Sequence, residues 1–136
     1  MYTQYQQFGP QQAPTLLWLH GFMGQQKNWW PDLLNYTTQY SCVTIDLFGH
    51  GTMKYIPRPY TFSYQINTLH QYITQHIKRP VTFIGYSMGA RIALAYALTY
   101  PTWVKQLYLE GAHPGLVTKT ERRKRQMQDQ QLAQTL

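Results

Sequence analysis

Four short runs of aliphatic, β-branched and aromatic residues alternate along the chain with segments of helical length. Near-continuous apolar strands that alternate with helices are typical of a parallel sheet covered on both faces. The sequence therefore predicts an α/β fold, and Pro80 and Pro101 mark the ends of two of its helices. The predicted strands are Thr15–His20, Cys42–Leu47, Val81–Tyr86 and Val104–Glu110, and the predicted helices are Trp29–Thr38, Tyr64–Ile77, Met88–Tyr100 and Lys119 to about Gln134.

Length and composition favour one folded domain. The chain has 136 residues, of which 43% are hydrophobic and 12% are charged, a balance that argues against disorder. No apolar stretch is long enough to span a membrane, and the Gln-rich start predicts a polar tail rather than a secretion signal. The single cysteine, Cys42, excludes an internal disulfide and a multi-thiolate metal site. We expect a cytoplasmic protein that needs no metal.

The net charge of +7 is concentrated near the end of the sequence, where Lys119–Arg125 holds five basic residues and one acidic residue. A uniformly basic protein would suggest nucleic acid, whereas a local cluster indicates one anionic target or a solvated helix face. No base-stacking platform accompanies the cluster, so the sequence predicts no nucleic-acid partner. Thr118 and Glu121 fit a capping box at the start of this helix, which has few apolar positions and is expected to lie on a surface.

The segment Gly85-Tyr86-Ser87-Met88-Gly89 follows the third predicted strand and starts an Ala-rich helix. In that position the pattern G-x-S-x-G predicts a tight, strained turn that presents the serine above a helix N-terminus. Glycines are needed there because side chains would not fit beside the serine. Ser87 is therefore the candidate catalytic residue, since the alternative, a phosphate-binding loop, lacks its own sequence pattern.

Two further glycine-containing turns follow the first two predicted strands, HGFMG at residues 20–24 and DLFGHG at residues 46–51. We interpret His20 as a structural residue that holds its loop, although an isolated histidine could also act as a base. Asp46 is expected to accept hydrogen bonds from backbone amides of its own turn.

The three glycine turns together resemble those of the α/β-hydrolase superfamily, and the resemblance covers nearly the whole chain. The segments GYSMGAR at residues 85–91 and EGAHPGL at residues 110–116, followed by the Arg-rich helix, more narrowly resemble the 2-succinyl-6-hydroxy-2,4-cyclohexadiene-1-carboxylate synthases of menaquinone biosynthesis. The resemblance implies an α/β-hydrolase fold, with a parallel sheet and helices on both faces, that is truncated before its last strands. Residues 1–117 would form the amino-terminal part of the core and residues 118–136 the start of a lid helix.

The same resemblance implies a lyase reaction that uses no cofactor. A proton is removed from the succinyl side chain of a cyclohexene-carboxylate that bears an enolpyruvyl group, and pyruvate is eliminated. Ser87 would act as a base activated by its triad, and the backbone N–H groups of Phe22 and Met88 would form the oxyanion hole. The triad acid and histidine follow the serine in this fold, so Asp46 and His50 are not expected to be those partners.

A substrate of this class carries several carboxylates, which guanidinium groups bind with two parallel hydrogen bonds. Arg91 lies one helical turn after Ser87 and leans back toward it, so we interpret it as a substrate-binding residue, with a surface ion pair as the alternative. Arg125 matches a substrate-binding arginine of the family. Arg122 shares its helix face but fits a solvated position equally well, and Tyr86 either lines the site or packs.

No residue after Ser87 convincingly replaces the triad acid and histidine that the family implies. Glu110 would still need a histidine base, and His113 is expected to shape the turn after its strand. We therefore expect an incomplete enzyme for a small polycarboxylate substrate, which a carboxyl-terminal half could complement. Two alternatives are a serine hydrolase, such as an esterase or thioesterase, and a module that binds polycarboxylates without catalysis.

Overall fold

A computed structural model describes residues 5–135 and contains one five-stranded sheet with the order β1-β3-β2-β4-β5. The strands are β1 (Tyr5–Phe8), β2 (Thr15–Leu19), β3 (Ser41–Ile45), β4 (Val81–Tyr86) and β5 (Val104–Glu110). Strands β2 to β5 pair in parallel, which confirms the predicted parallel sheet. Because β3, β2 and β4 are neighbours, the loops that follow them meet at one edge of the sheet.

The helices lie close to their predicted positions. They are α1 (Trp30–Leu33), α2 (Phe62–Tyr72), α3 (Met88–Thr99) and α4 (Lys119–Thr135). A 3₁₀ turn at Gln26–Trp29 precedes α1, and a π-helical turn at Ile73–Ile77 extends α2. The predicted helix Trp29–Thr38 was too long, because residues 34–39 form hydrogen-bonded turns. No helix within residues 5–135 has the length and apolar character needed to cross a bilayer.

The sheet buries apolar side chains on both faces. On one face the central strands pack against α2 and α3, and on the other they pack against α1 and the turn before it. The first face includes Leu17, Leu19, Val43, Ile45, Phe83, Ile66, Leu69, Tyr72, Ile92 and Tyr96, and the second includes Leu16, Trp18, Leu33 and Cys42. Burial on both faces explains why β2 is a nearly continuous apolar run and why every residue of β3, including Ser41 and Thr44, is buried.

The first strand corrects the predicted polar tail. β1 pairs antiparallel with β3, with Tyr5 opposite Ile45 and Phe8 opposite Cys42. Tyr5 packs against one core and Phe8 against the other, while the two glutamines between them are exposed. An edge strand tolerates such polar residues, which is why its composition resembled a tail. The first four residues of the predicted tail lie outside the described residues.

At the other side of the sheet, β5 pairs only with β4 within the part of the chain that the structure describes, and forms an edge. The predicted capping box is present at the start of α4. The Thr118 N–H and hydroxyl donate to Glu121 Oε2 at 2.9 and 2.8 Å, and the Glu121 N–H donates to Thr118 Oγ1 at 3.1 Å. No described residue of α4 is buried, so local bonds define this helix rather than core packing.

Replacing Gly89 with alanine is expected to lower the free energy of unfolding by about 3 kcal/mol, at the upper end of the cost of overpacking. A Cβ at Gly89 would lie 2.3 Å from the carbonyl oxygen of Leu19, so α3 could no longer lie directly against β2. Urea unfolding followed by circular dichroism measures the change. The control Leu98→Ala, at an exposed position of the same helix, should change it by less than about 0.5 kcal/mol. Equal stability of the two variants would contradict this expectation.

Candidate active site

Ser87 occupies the turn between β4 and α3 with φ 51° and ψ −108°. Such a positive φ is uncommon for a residue with a side chain and costs on the order of 1–3 kcal/mol. The Ser87 N–H donates to the backbone carbonyl of Glu110 at 2.8 Å, which joins the turn to the end of β5. The residue is half-buried, and its hydroxyl makes no hydrogen bond to another described residue. That hydroxyl is therefore not used to stabilise the turn.

The glycines beside Ser87 are required by close backbone packing. A Cβ at Gly85 would lie 2.7 Å from Ala90 Cα, and one at Gly21 would lie 2.8 Å from the ring of Tyr86. The loop after β2 and the serine turn are therefore in direct contact. This contact brings the loop that contains Phe22 next to Ser87.

The loop after β2 presents Phe22 at the surface, with its side chain 52% exposed. His20 is buried, its Nδ1 lies 2.8 Å from the Gly21 carbonyl oxygen, and its Nε2 accepts a hydrogen bond from Leu47 N–H at 3.0 Å. The predicted structural role of His20 is thereby confirmed. The backbone N–H groups of Phe22 and Met88 have no acceptor among the turn, loop and cap hydrogen bonds of residues 5–135.

Asp46 is buried and acts as an acceptor that joins two loops. Its Oδ1 accepts from Gln26 N–H at 2.7 Å, and its Oδ2 accepts from Gln26 Nε2 at 3.1 Å and from Thr52 N–H and Oγ1 at 2.9 and 2.7 Å. Burial disfavours the charged carboxylate, but the hydrogen bonds from Gln26 and Thr52 outweigh it and hold the pKa of Asp46 below its usual value. The prediction of bonds within its own turn is confirmed for Thr52, whereas no sequence pattern indicated the bonds from Gln26.

Two of the candidate arginines line one cavity of about 290 Å³ between α3, α4 and the loop after β5. Arg91 is half-buried there, and its Nε is buried with no hydrogen-bond partner. Arg125 lies at the cavity wall and also pairs with Asp129 at 2.7 Å, at a half-exposed position. The other walls are largely apolar: Phe62, Leu94, Ala95, Leu98, Pro114 and Leu116, with Gly115 and His113. This cavity could hold a partly apolar molecule that carries carboxylates.

A second cavity, of about 280 Å³, is lined by Phe22, Tyr86 and Glu110 together with the residues around His20 and Trp29. Tyr86 is 48% exposed, so its ring forms part of a wall rather than part of the core. The structure therefore brings Arg91 together with Arg125, and Phe22 together with Tyr86, but in separate cavities. The Ser87 turn adjoins the second group through the contact of Gly21 with Tyr86.

Arg122 and His113, which lie near the start of α4, make local contacts. Arg122 Nη2 donates to the carbonyl of Val117 at 3.2 Å and does not line the cavity of Arg91. His113 Nδ1 accepts from Gly115 N–H at 3.2 Å, which confirms that it shapes the turn after β5. Arg122 therefore bonds the backbone before α4 and does not line the cavity in which it was expected to bind substrate.

No histidine is hydrogen-bonded to the Ser87 hydroxyl among residues 5–135. His20 and His50 lie beside each other, with ring centroids 5.2 Å apart, and His50 Nδ1 lies 3.0 Å from the Phe48 carbonyl oxygen. Asp46 is fully engaged with Gln26 and Thr52. Within the described residues, no three His, Cys, Asp or Glu side chains gather to hold a metal ion.

Residues 14–136 match the family described as alpha/beta hydrolase fold. The 2-succinyl-6-hydroxy-2,4-cyclohexadiene-1-carboxylate synthase of Enterobacter sp. (strain 638) is 32% identical over 121 residues, which are 89% of this chain and 46% of that protein. A protein of Bacillus subtilis (strain 168), provisionally named as the same synthase, is 38% identical over 128 residues, which are 92% of this chain and 46% of that protein.

A solved structure of MenH from S. aureus superimposes with a TM-score of 0.83 and 29% sequence identity. The match covers 93% of this chain and 49% of that one. The chain thus spans about half the length of the curated relatives it matches.

Proposed function

The chain belongs to the alpha/beta hydrolase fold family, as its glycine turns predicted, and from this membership we propose that it supplies part of the active site of a 2-succinyl-6-hydroxy-2,4-cyclohexadiene-1-carboxylate synthase. That part comprises Ser87, the oxyanion donors of Phe22 and Met88, and substrate-binding arginines. The proposed enzyme is a cytoplasmic lyase of menaquinone biosynthesis that needs no cofactor. Its similarity to the synthases of Enterobacter and Bacillus supports this assignment over a general esterase.

The observation that carries the proposal is the placement of Arg91 and Arg125 in one cavity. Guanidinium groups bind carboxylates with two parallel hydrogen bonds, and a buried unpartnered Nε is a donor that needs an acceptor. A substrate carboxylate would satisfy the Nε of Arg91. An ester carbonyl could also accept from that donor, but a carboxylate forms a charge-assisted bond that is about twice as strong.

In the proposed reaction, Ser87 Oγ takes a proton from the carbon next to the succinyl carbonyl. The electron pair that remains forms a new double bond in the ring, the existing ring double bond shifts, and the bond between the ring and the enolpyruvyl oxygen breaks. The electron pair of that bond leaves with the oxygen as the enolate of pyruvate, which takes up one proton on carbon to give pyruvate, so that no net proton is consumed. Negative charge that develops on the carbonyl oxygen is stabilised by the N–H groups of Phe22 and Met88, since donors fixed in advance need no reorganisation. The helix dipole of α3 acts in the same direction.

Serine is a weak base at neutral pH, so the reaction needs a histidine that accepts the Ser87 proton and an acid that orients this histidine. We assign both to a polypeptide that corresponds to the half of the relatives that this chain does not match. The 136-residue chain alone is expected to release pyruvate only at a residual rate.

The test is to mix the chain with the separately produced carboxyl-terminal half of the Enterobacter relative and to measure pyruvate from the enolpyruvyl substrate. Pyruvate is expected from the mixture, and at most at a residual rate from either part alone. Arg91→Gln should lower kcat/KM by about 10–100-fold, mainly through KM, because a charged hydrogen bond contributes about 1.5–3 kcal/mol. The matched control Arg123→Gln, at an exposed position of α4, should change kcat/KM less than about twofold.

A serine hydrolase is the second candidate, and the second cavity favours it. That cavity contains Glu110 and no arginine, so it suits an uncharged acyl group better than a carboxylate. Turnover of p-nitrophenyl esters by the mixture, without pyruvate release, would establish this alternative. Binding of a succinylbenzoate-like product without catalysis, and unaffected by Ser87→Ala, would instead indicate a non-catalytic binding module.

A further inference from the structure

The loop after β2 is fixed at both ends to the turn after β3. At its start, His20 Nε2 accepts from Leu47 N–H at 3.0 Å, and at its end Gln26 N–H donates to Asp46 Oδ1 at 2.7 Å. The Gln26 side chain adds a bond from Nε2 to Asp46 Oδ2 at 3.1 Å. His20, Gln26 and Asp46 are all buried. These contacts between the two loops are called the loop clamp below.

Between its two ends the loop makes a strained turn. Gly24 N–H donates to the Gly21 carbonyl at 3.0 Å, and Met23 has φ 60°. A residue with a side chain holds such a φ only when its surroundings impose it. The Met23 side chain is 70% exposed, so its own packing does not impose the strain. The ends of the loop must do so, and the loop clamp is what holds them.

The protonation of His20 follows from its two contacts. Because Leu47 N–H donates to Nε2, that nitrogen carries no proton, and Nδ1–H donates to the Gly21 carbonyl. The imidazole is therefore neutral and bonds the peptide group whose nitrogen belongs to Phe22. Burial lowers the pKa of His20, an effect that His50 reinforces and that the bond to Gly21 and the nearby Asp46 oppose.

We propose that His20 is a positioning residue for catalysis, and that the loop clamp fixes the direction of the Phe22 N–H toward the oxyanion. This inference rests on the proposed function, in which Phe22 supplies an oxyanion donor. In this proposal His20 acts through the Gly21–Phe22 peptide group and transfers no proton itself. A misdirected donor weakens binding of the transition state and leaves the ground state nearly unchanged.

The first measurement needs no activity and uses the 136-residue chain. The ¹⁵N chemical shift of Phe22 and the hydrogen exchange of the Leu47 amide, which donates to His20 Nε2, are compared in wild type, His20→Phe and Thr52→Val. His20→Phe removes both His20 hydrogen bonds, while Thr52→Val removes one hydroxyl bond to Asp46 and leaves the loop clamp intact. We expect the Phe22 chemical shift to change, and the Leu47 amide to exchange at least about tenfold faster, only in His20→Phe. An unchanged Phe22 amide in that variant, or the same change in Thr52→Val, would overturn the proposal.

The second measurement uses the mixture that releases pyruvate. His20→Phe should lower kcat by about 10²-fold with KM changed less than about twofold, which is the cost of losing one oxyanion donor. His20→Gln keeps an acceptor for Leu47 N–H and should recover part of kcat. If His20→Phe fails to fold, His20→Gln replaces it in both measurements, with a loss of kcat and a change at Phe22 that are smaller but in the same direction. A rise in KM at constant kcat would overturn the proposal. If even the wild-type mixture releases no pyruvate, the proposed function fails. The chemical shift of the Phe22 amide then still tests whether His20 positions that N–H group, because this measurement does not depend on activity.

Discussion

Replacing Ser87 with alanine is expected to lower kcat for pyruvate release by about 10³-fold in the mixture of the chain with the complementary half. A positioned acid or base contributes about 10²–10⁴-fold, and in the proposed reaction the Ser87 hydroxyl is the group that receives the substrate proton. Alanine leaves the backbone donors of Phe22 and Met88 in place, as well as Arg91. KM should therefore change by less than about threefold, because the ground-state contacts remain.

The matched control for this prediction is Ser63→Ala, which removes the hydroxyl of an exposed serine in α2. It should leave kcat within about twofold of wild type. Mass spectrometry of the wild-type chain during turnover adds a second criterion, because a base forms no acyl-enzyme whereas a nucleophile does. Retention of more than about a tenth of wild-type kcat in Ser87→Ala would exclude the assigned role, and a covalent adduct would support the hydrolase alternative.

Much of the serine turn could be predicted because its constraints are local. The pattern G-x-S-x-G between a strand and a helix leaves few backbone paths, and the structure shows why Gly85 and Gly89 are needed there. A Cβ at Gly89 would meet the Leu19 backbone at 2.3 Å, and one at Gly85 would meet Ala90 Cα at 2.7 Å. The parallel strands were equally predictable, since strands buried on both faces become continuous apolar runs.

Features that depend on distant partners were missed or only partly predicted. β1 is stabilised by pairing with β3, more than thirty residues later, and its own residues gave no apolar alternation. In the sequence Gln26 resembles any polar loop residue. Its buried side-chain amide has a hydrogen-bond acceptor only because the fold places Asp46 beside it. The separation of Arg91 from Phe22 and Tyr86 into two cavities depends on the course of the loop after β5, which helix geometry does not define.

Asp46 contributes both to the fold and to the proposed site, because its carboxylate bonds to the turn after β3 and to the end of the loop after β2. Four donors converge on its two oxygens: two from Gln26 and two from Thr52. The same carboxylate explains why residue 51 is glycine. Its φ is 54°, and a Cβ there would lie 2.3 Å from the Asp46 carboxylate. Position 46 therefore requires an ionised carboxylate, because both of its oxygens must accept hydrogen bonds and neither can donate one.

Asp46→Asn is expected to lower the free energy of unfolding by about 3 kcal/mol at pH 7, because the amide NH₂ would face a donor in either orientation and leave it unsatisfied. Each hydrogen bond to a charged group contributes about 1.5–3 kcal/mol. The pKa of Asp46 is lowered in the folded state, so its contribution is present above the ordinary carboxyl pKa of about 4 and is lost as the pH falls through the lowered value. Urea unfolding between pH 7 and pH 2 should therefore show the difference between wild type and Asp46→Asn narrowing at the acid end.

The matched control is Asp32→Asn, since Asp32 is exposed and makes no hydrogen bond with its side chain to another described residue. This variant should stay within about 0.5 kcal/mol of wild type at pH 7. If Asp46→Asn were as stable as Asp32→Asn, the four donors would not depend on a charged acceptor. If the loss at pH 7 persisted undiminished at pH 2, it would arise from packing rather than from the ionised carboxylate. Either result would remove the electrostatic basis of the connection between the two loops.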